Sequence, residues 1–137
     1  MQNSVRLMAG LAILAGLLIV PTLSLKANAA GEMPDKQTCA STRDPIVAGG
    51  CVATDRNKGN CMACHRFDGL EQSGLPAGNV GSPLVAMKAR YPDKKQLRDF
   101  IWDPTQLGPR ITMPPYGKHG ILTEREIELV VDWLHTL

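Results

Sequence analysis

Large aromatic rings are scarce in this chain: two Trp, two Tyr and two Phe are spread over 137 residues. A domain of this size folds alone, yet so few rings leave a thin core that something else has to fill. Excess charge of one sign is also scarce, with 15 Lys plus Arg against 13 Asp plus Glu. A nucleic-acid binder of this length would be far more basic, so that class drops out. Intrinsic disorder is excluded by the 44% of apolar residues, since disordered chains are poorer in them and more strongly charged. Convincing period-2 alternation is missing as well, so the pattern predicts an all-α domain with long loops.

What is present begins with an uneven N-terminus. The short, positive stretch ending at Arg6 is followed by uncharged, almost wholly apolar residues from Leu7 to Val20, then Pro21. Ala27-Asn28-Ala29 gives a small-x-small cleavage pattern. Residues 1–29 thus read as a cleaved secretory signal peptide, with export to the periplasm as the expectation. An uncleaved anchor over Leu7–Leu25 is the alternative, and Pro21 argues against it. Removing residues 1–29 takes Arg6 and Lys26 with no acid, so the formal charge falls from +2 to zero. Export also permits cysteines to pair or to carry a prosthetic group.

Cys61-Met62-Ala63-Cys64-His65 has the C-x-x-C-H spacing of covalent haem c attachment. Two thiols on one turn reach the two vinyl groups, and the adjacent imidazole of His65 reaches the iron as proximal ligand. A zinc site or a redox dithiol would share the C-x-x-C. Zinc needs a second ligand pair, and no βαβ pattern surrounds the motif to support a thioredoxin-like fold. One large apolar macrocycle would also supply the body that the thin core lacks.

A filled sixth iron position favours electron transfer, and an open one favours small-molecule chemistry. Met113 is the leading sixth ligand, because Pro114 and Pro115 stiffen its loop and leave the thioether little freedom to lose. Met87 and His119 compete with it. Met62 lies within the attachment motif, and Met33 is close to the start of the mature chain.

Helix signals are clearest at the end. Thr123 and Glu126 form a capping box, Leu122 can staple onto Ile127, and Ile127, Val130, Val131 and Leu134 make one apolar stripe with Trp133 at its edge. A second helix is predicted from near Pro92 to Asp103, with Leu97, Phe100 and Ile101 inward, and a third from roughly Ala53 to Cys64. The glycine- and proline-containing stretch Gly69–Pro83 suits a chain passing close to a flat ligand.

The attachment motif, Gly81-Ser82-Pro83-Leu84 and Met113 together resemble class I cytochromes c. That resemblance implies an all-α domain of three to five helices with haem-wrapping loops, and a loop carbonyl near Ser82 that accepts a bond from the second nitrogen of His65. The glycine and aromatic that the family carries upstream of its motif are not found at Asp55–Lys58. A closer resemblance, over residues 52–137, is to the SoxX family, monohaem subunits of the SoxAX cytochromes of bacterial sulfur oxidation. It rests on Asp55-Arg56 with Gly59–His65, Gly78–Leu84, Ala89–Asp93 and above all Met113-Pro114-Pro115-Tyr116-Gly117-Lys118-His119-Gly120-Ile121-Leu122-Thr123. It implies a non-catalytic, electron-accepting subunit with one haem c, paired with a SoxA-type cytochrome that couples thiosulfate to a cysteine of the SoxYZ carrier. A soluble acceptor such as another cytochrome c would then take the electrons. The alternative is a freestanding electron shuttle.

Cys39 and Cys51 are left over, and two spare thiols in an oxidising compartment most simply pair. The disulfide would close a loop containing Pro45, Gly49 and Gly50 and pin an N-terminal extension, residues 30–51, to a haem domain over 52–137. A sulfur-carrying thiol is the alternative. Lys88, Arg90, Lys94, Lys95 and Arg98 form a basic cluster, read either as a solvated face or as a docking surface for an acidic partner. Lys118 and His119 are candidates for the haem edge, and His135 reads as a solvated helix-end residue.

Overall fold

The computed structural model describes residues 33–67 and 78–137. The expected signal peptide and residues 69–77 of the expected wrapping loop lie outside the described residues. Among these described residues five α-helices follow in chain order: α1 Lys36–Ser41, α2 Pro45–Thr54, α3 Met87–Arg90, α4 Lys94–Trp102 and α5 Glu124–Leu134. Single 3-10 turns occur at Cys61–Ala63 and Pro104–Leu107. Among the described residues the extended pairing is one isolated bridge, Phe67 with Leu84, so the fold is all-α as expected.

Helix α5 forms where its sequence signals put it. Thr123 and Glu126 make the reciprocal capping box, and Ile127, Val130, Val131, Trp133 and Leu134 are buried. Trp133 belongs to the core and meets Phe67 edge to face at 5.3 Å. Helix α4 starts two residues after Pro92, capped by Asp93, whose carboxylate accepts from the Lys95 amide at 2.8 Å. Its Leu97 and Ile101 are buried, and Phe100 is half-buried.

The third expected helix is the main correction. Ala53–Cys64 holds the last turn of α2, a hydrogen-bonded turn and a 3-10 turn. Asp44 accepts from the Ile46 amide at 2.8 Å and Pro45 fills the first turn, so the helix starts eight residues earlier than Ala53. It stops at Asp55, whose side chain accepts from the Asn57 amide at 2.8 Å and whose carbonyl accepts from the Asn60 amide at 3.0 Å.

Gly49 and Gly50 lie within the loop that the disulfide closes, as expected, but upstream of the helix start expected at Ala53 they are inside α2, at its crossing with α5. A Cβ on Gly49 would sit 1.9 Å from the Leu129 carbonyl oxygen, so only glycine lets the two backbones approach this closely. The close approach absent from Asp55–Lys58 is thus made further upstream. A boundary at residue 52 falls within α2, and residues 45–51 are part of the packed domain. Cys39 and Cys51 are joined by a disulfide that ties α1 to α2. Helix α1 buries no side chain, so this link matters to it; closing such a loop contributes about 3 kcal/mol by chain entropy. His135 is not the solvated residue expected: its Nε2 is buried with no hydrogen-bond partner among the described residues.

Candidate functional site: a thiol, imidazole and thioether cavity

The turn from Asp55 ends at Asn60, which is left-handed at φ 46° and reverses the chain into the 3-10 turn Cys61–Ala63. The His65 amide donates to the Cys61 carbonyl at 2.8 Å, closing that turn and setting the imidazole just beyond both thiols. The returning chain laces onto the motif: the Gly78 amide donates to Met62, Gly81 to Cys64 and Leu84 to Arg66.

Gly81 runs directly beneath the imidazole, where an added Cβ would lie 2.4 Å from His65 Cε1. This approach brings the Ser82 carbonyl 2.6 Å from His65 Nδ1. A carbonyl only accepts, so Nδ1 carries the proton and Nε2 keeps its lone pair. A metal-bound histidine held in this way has its tautomer and ring orientation fixed.

Cys61, Cys64, His65 and Met113 all line one cavity of about 280 Å³. Apolar side chains from α4 and α5, including Leu97, Ile101, Val130 and Leu134, form much of its wall. Both thiols are free. Burial pushes the Cys61 thiol up to about 12, the opposite of the lowered thiol that a redox C-x-x-C needs. Two unpaired thiols, an imidazole with a free Nε2 and a thioether on one apolar cavity fit covalent haem c in number and kind.

The sequence profile of the family described as Cytochrome c matches residues 53–137. The chain belongs to the cytochrome c family. Membership implies covalently bound haem c and a role in electron transfer. Cytochrome c domains are as a rule extracytoplasmic, and no described helix is long and apolar enough to cross a membrane. A curated relative from Aquifex aeolicus (strain VF5), named only as an uncharacterized lipoprotein, is 37% identical over 78 residues. The match takes in 57% of this chain and 36% of that relative, so it covers about a third of the relative's length.

In this cytochrome c the competitors for the sixth position separate. Met87 also lines the cavity, but its Sδ receives the Arg90 guanidinium at 3.4 Å. His119 is exposed, and neither it, Met33 nor Met62 is part of the lining. Lys118 is likewise off the lining and pairs instead with Asp103 at 2.8 Å. The basic cluster is largely spoken for: Lys94 pairs with Asp132, Lys95 with Asp99, Arg98 with Asp99 and Glu124, and Arg90 donates to the Pro83 carbonyl at 2.7 Å. Such pairing fits a solvated helix face better than a docking surface.

Two residues escaped sequence reasoning. Arg110 stands with Arg90 on the cavity lining, and nothing in the pattern of charges marks it. Tyr116, read from sequence as a ring and as part of the Met113–Thr123 block but given no role, donates its hydroxyl to the Gly59 carbonyl at 2.6 Å across 57 residues of sequence. Burial, with the two nearby cysteines contributing, pushes its phenol up to about 12. Its place three residues after Met113 was the available signal.

Proposed function

We propose that this chain is an exported monohaem cytochrome c, ligated by His65 and Met113, that accepts electrons within a complex with a SoxA-type partner in the periplasm. The observation that carries the reading is the single cavity on which Cys61, Cys64, His65 and Met113 converge. In it Cys61 and Cys64 anchor the group, the Ser82 carbonyl holds the proton on His65 Nδ1, and the apolar wall excludes water. Haem c held there supplies one-electron exchange. Joining thiosulfate to a carrier cysteine through a sulfur–sulfur bond releases two electrons, so a one-electron centre beside the reacting site serves as a relay.

The sulfur-oxidation part of the reading is supported by the block Met113–Thr123, since cytochromes c in general share only its methionine and a nearby proline. Signal cleavage after Ala29 is part of the proposal. The test is purification of the tagged full chain from a host that also makes a SoxA-type subunit and the SoxYZ carrier. Stable co-elution, and reduction of this chain's haem on adding thiosulfate, are the expected results. A chain that elutes alone and stays oxidised would instead be the freestanding shuttle. Met113→Ala should abolish the weak far-red sulfur-to-iron absorption of the oxidised protein, and its survival would reject Met113 as ligand.

A further inference from the structure

The segment bearing Met113 is fastened unevenly. On its upstream side Gly108 has a positive φ of 141°, and Arg110, Ile111 and Thr112 are exposed, with one long backbone bond from Ile111 to Gly108 at 3.4 Å. On the downstream side come Pro114, Pro115 and then Tyr116. Two consecutive prolines fix φ twice and behave as a short strut, so displacement at one end is transmitted to the other.

The far end of that strut is tied to a firm point. Gly59, which accepts from the Tyr116 hydroxyl, donates its own amide to the Val52 carbonyl of α2 at 3.1 Å. Its neighbour Lys58 is paired with Glu126 at the start of α5. Asn60 and Cys61 follow directly, so one hydrogen bond joins the haem-attachment segment to the Met113 segment. Tyr116 also lines the cavity and is half-buried, where water competes poorly for its bond.

We infer that Tyr116 is a positioning residue for the sixth ligand: its hydroxyl, held by the Gly59 carbonyl, sets through Pro114–Pro115 how far Met113 stands from the attachment segment. The inference rests on Met113 being the ligand. The Tyr116 carbonyl also accepts from the Ile121 and Leu122 amides at 2.9 and 3.1 Å, which holds that end within its own loop, so loss of the hydroxyl removes only its tie to the attachment segment, and the thioether then yields more readily to an external ligand. Asp103–Lys118 fastens the same loop beyond Tyr116, outside the stretch from Met113 to the tie.

The experiment is imidazole titration of the oxidised, haem-loaded full chain, followed by its visible spectrum. Removing one such bond should raise imidazole affinity about fivefold in Tyr116→Phe, with a weaker far-red sulfur band. Asp103→Asn should leave imidazole affinity within about twofold of the parent, although it lowers stability. Unchanged affinity in Tyr116→Phe overturns the inference, as does an equal rise in Asp103→Asn. Should Tyr116→Phe not accumulate with haem, Pro115→Ala carries the test. That variant keeps the hydroxyl but softens the strut, and affinity equal to the parent's would refute the coupling. Met113→Ala separates the two ideas. If it keeps the far-red band, the ligand assignment has failed; if it loses the band while Tyr116→Phe binds imidazole as the parent does, only the positioning role has failed.

Discussion

Gly81 is where a single methyl group would do most damage to the site. The Cβ of an alanine there would lie 2.4 Å from His65 Cε1 and 2.5 Å from Nδ1, so either the ring or the chain carrying Ser82 must move. Both movements break the 2.6 Å contact to the Ser82 carbonyl. That acceptor makes the imidazole a stronger donor and favours the oxidised iron, so Gly81→Ala should raise the reduction potential and lower the yield of haem-loaded protein. Spectroelectrochemical titration beside the parent protein checks the first, and haem staining per unit of protein the second. Asp103 offers a different test. The Lys118 ammonium, followed by the Thr105 hydroxyl, lowers its carboxyl from 3.8 to about 2. A depressed folded value means that the carboxylate stabilises the fold above its unfolded value and ceases to do so as pH falls from about 4 towards 2. Melting temperature should decline through that window in the parent and decline less in Asp103→Asn.

Among the elements, the crossing of α2 and α5 is the most demanding. Alanine at Gly49 would press its Cβ to 1.9 Å from the Leu129 carbonyl oxygen and 2.9 Å from Trp133 Cβ, and both belong to a packed helix with little room to yield. Gly49→Ala should destabilise by about 1–3 kcal/mol, read as a lower denaturant midpoint with an unchanged slope. Helices whose ends carry local chemistry were readable from sequence. Thr123 with Glu126 and Asp93 with Pro104 mark the limits of α5 and α4 because side chain and backbone bond within a few residues. Helix α2 was missed although Asp44 and Pro45 mark its start locally, since its two glycines weigh against a helix and are explained only by a helix far away in sequence. The site divided in the same way. Cys61, Cys64, His65 and the Ser82 acceptor follow from spacing and resemblance, whereas the Tyr116–Gly59 bond spans 57 residues, and the local pattern marks only that Tyr116 stands near Met113, not its partner.

At the scale of the whole molecule, the scarcity of aromatic rings and the cavity are two sides of one property. Side chains from α4, α5 and both ligand-bearing loops face a volume of about 280 Å³ and pack around it instead of closing on one another. Left without its prosthetic group, this open cavity admits water onto its apolar walls, and α4 and α5 lose the surface that aligns them. The chain carrying Cys61→Ala and Cys64→Ala, produced without haem attachment, should therefore show much less helical circular dichroism than the haem-loaded parent and no cooperative melt. The Cys39–Cys51 disulfide constrains α1 and α2 only, and none of the cavity-lining residues belongs to α1, so leaving it oxidised should not restore the melt. A cooperative transition in that variant near the parent's melting temperature would mean that the side chains form a sufficient core by themselves, and the haem would then be a passenger in the fold.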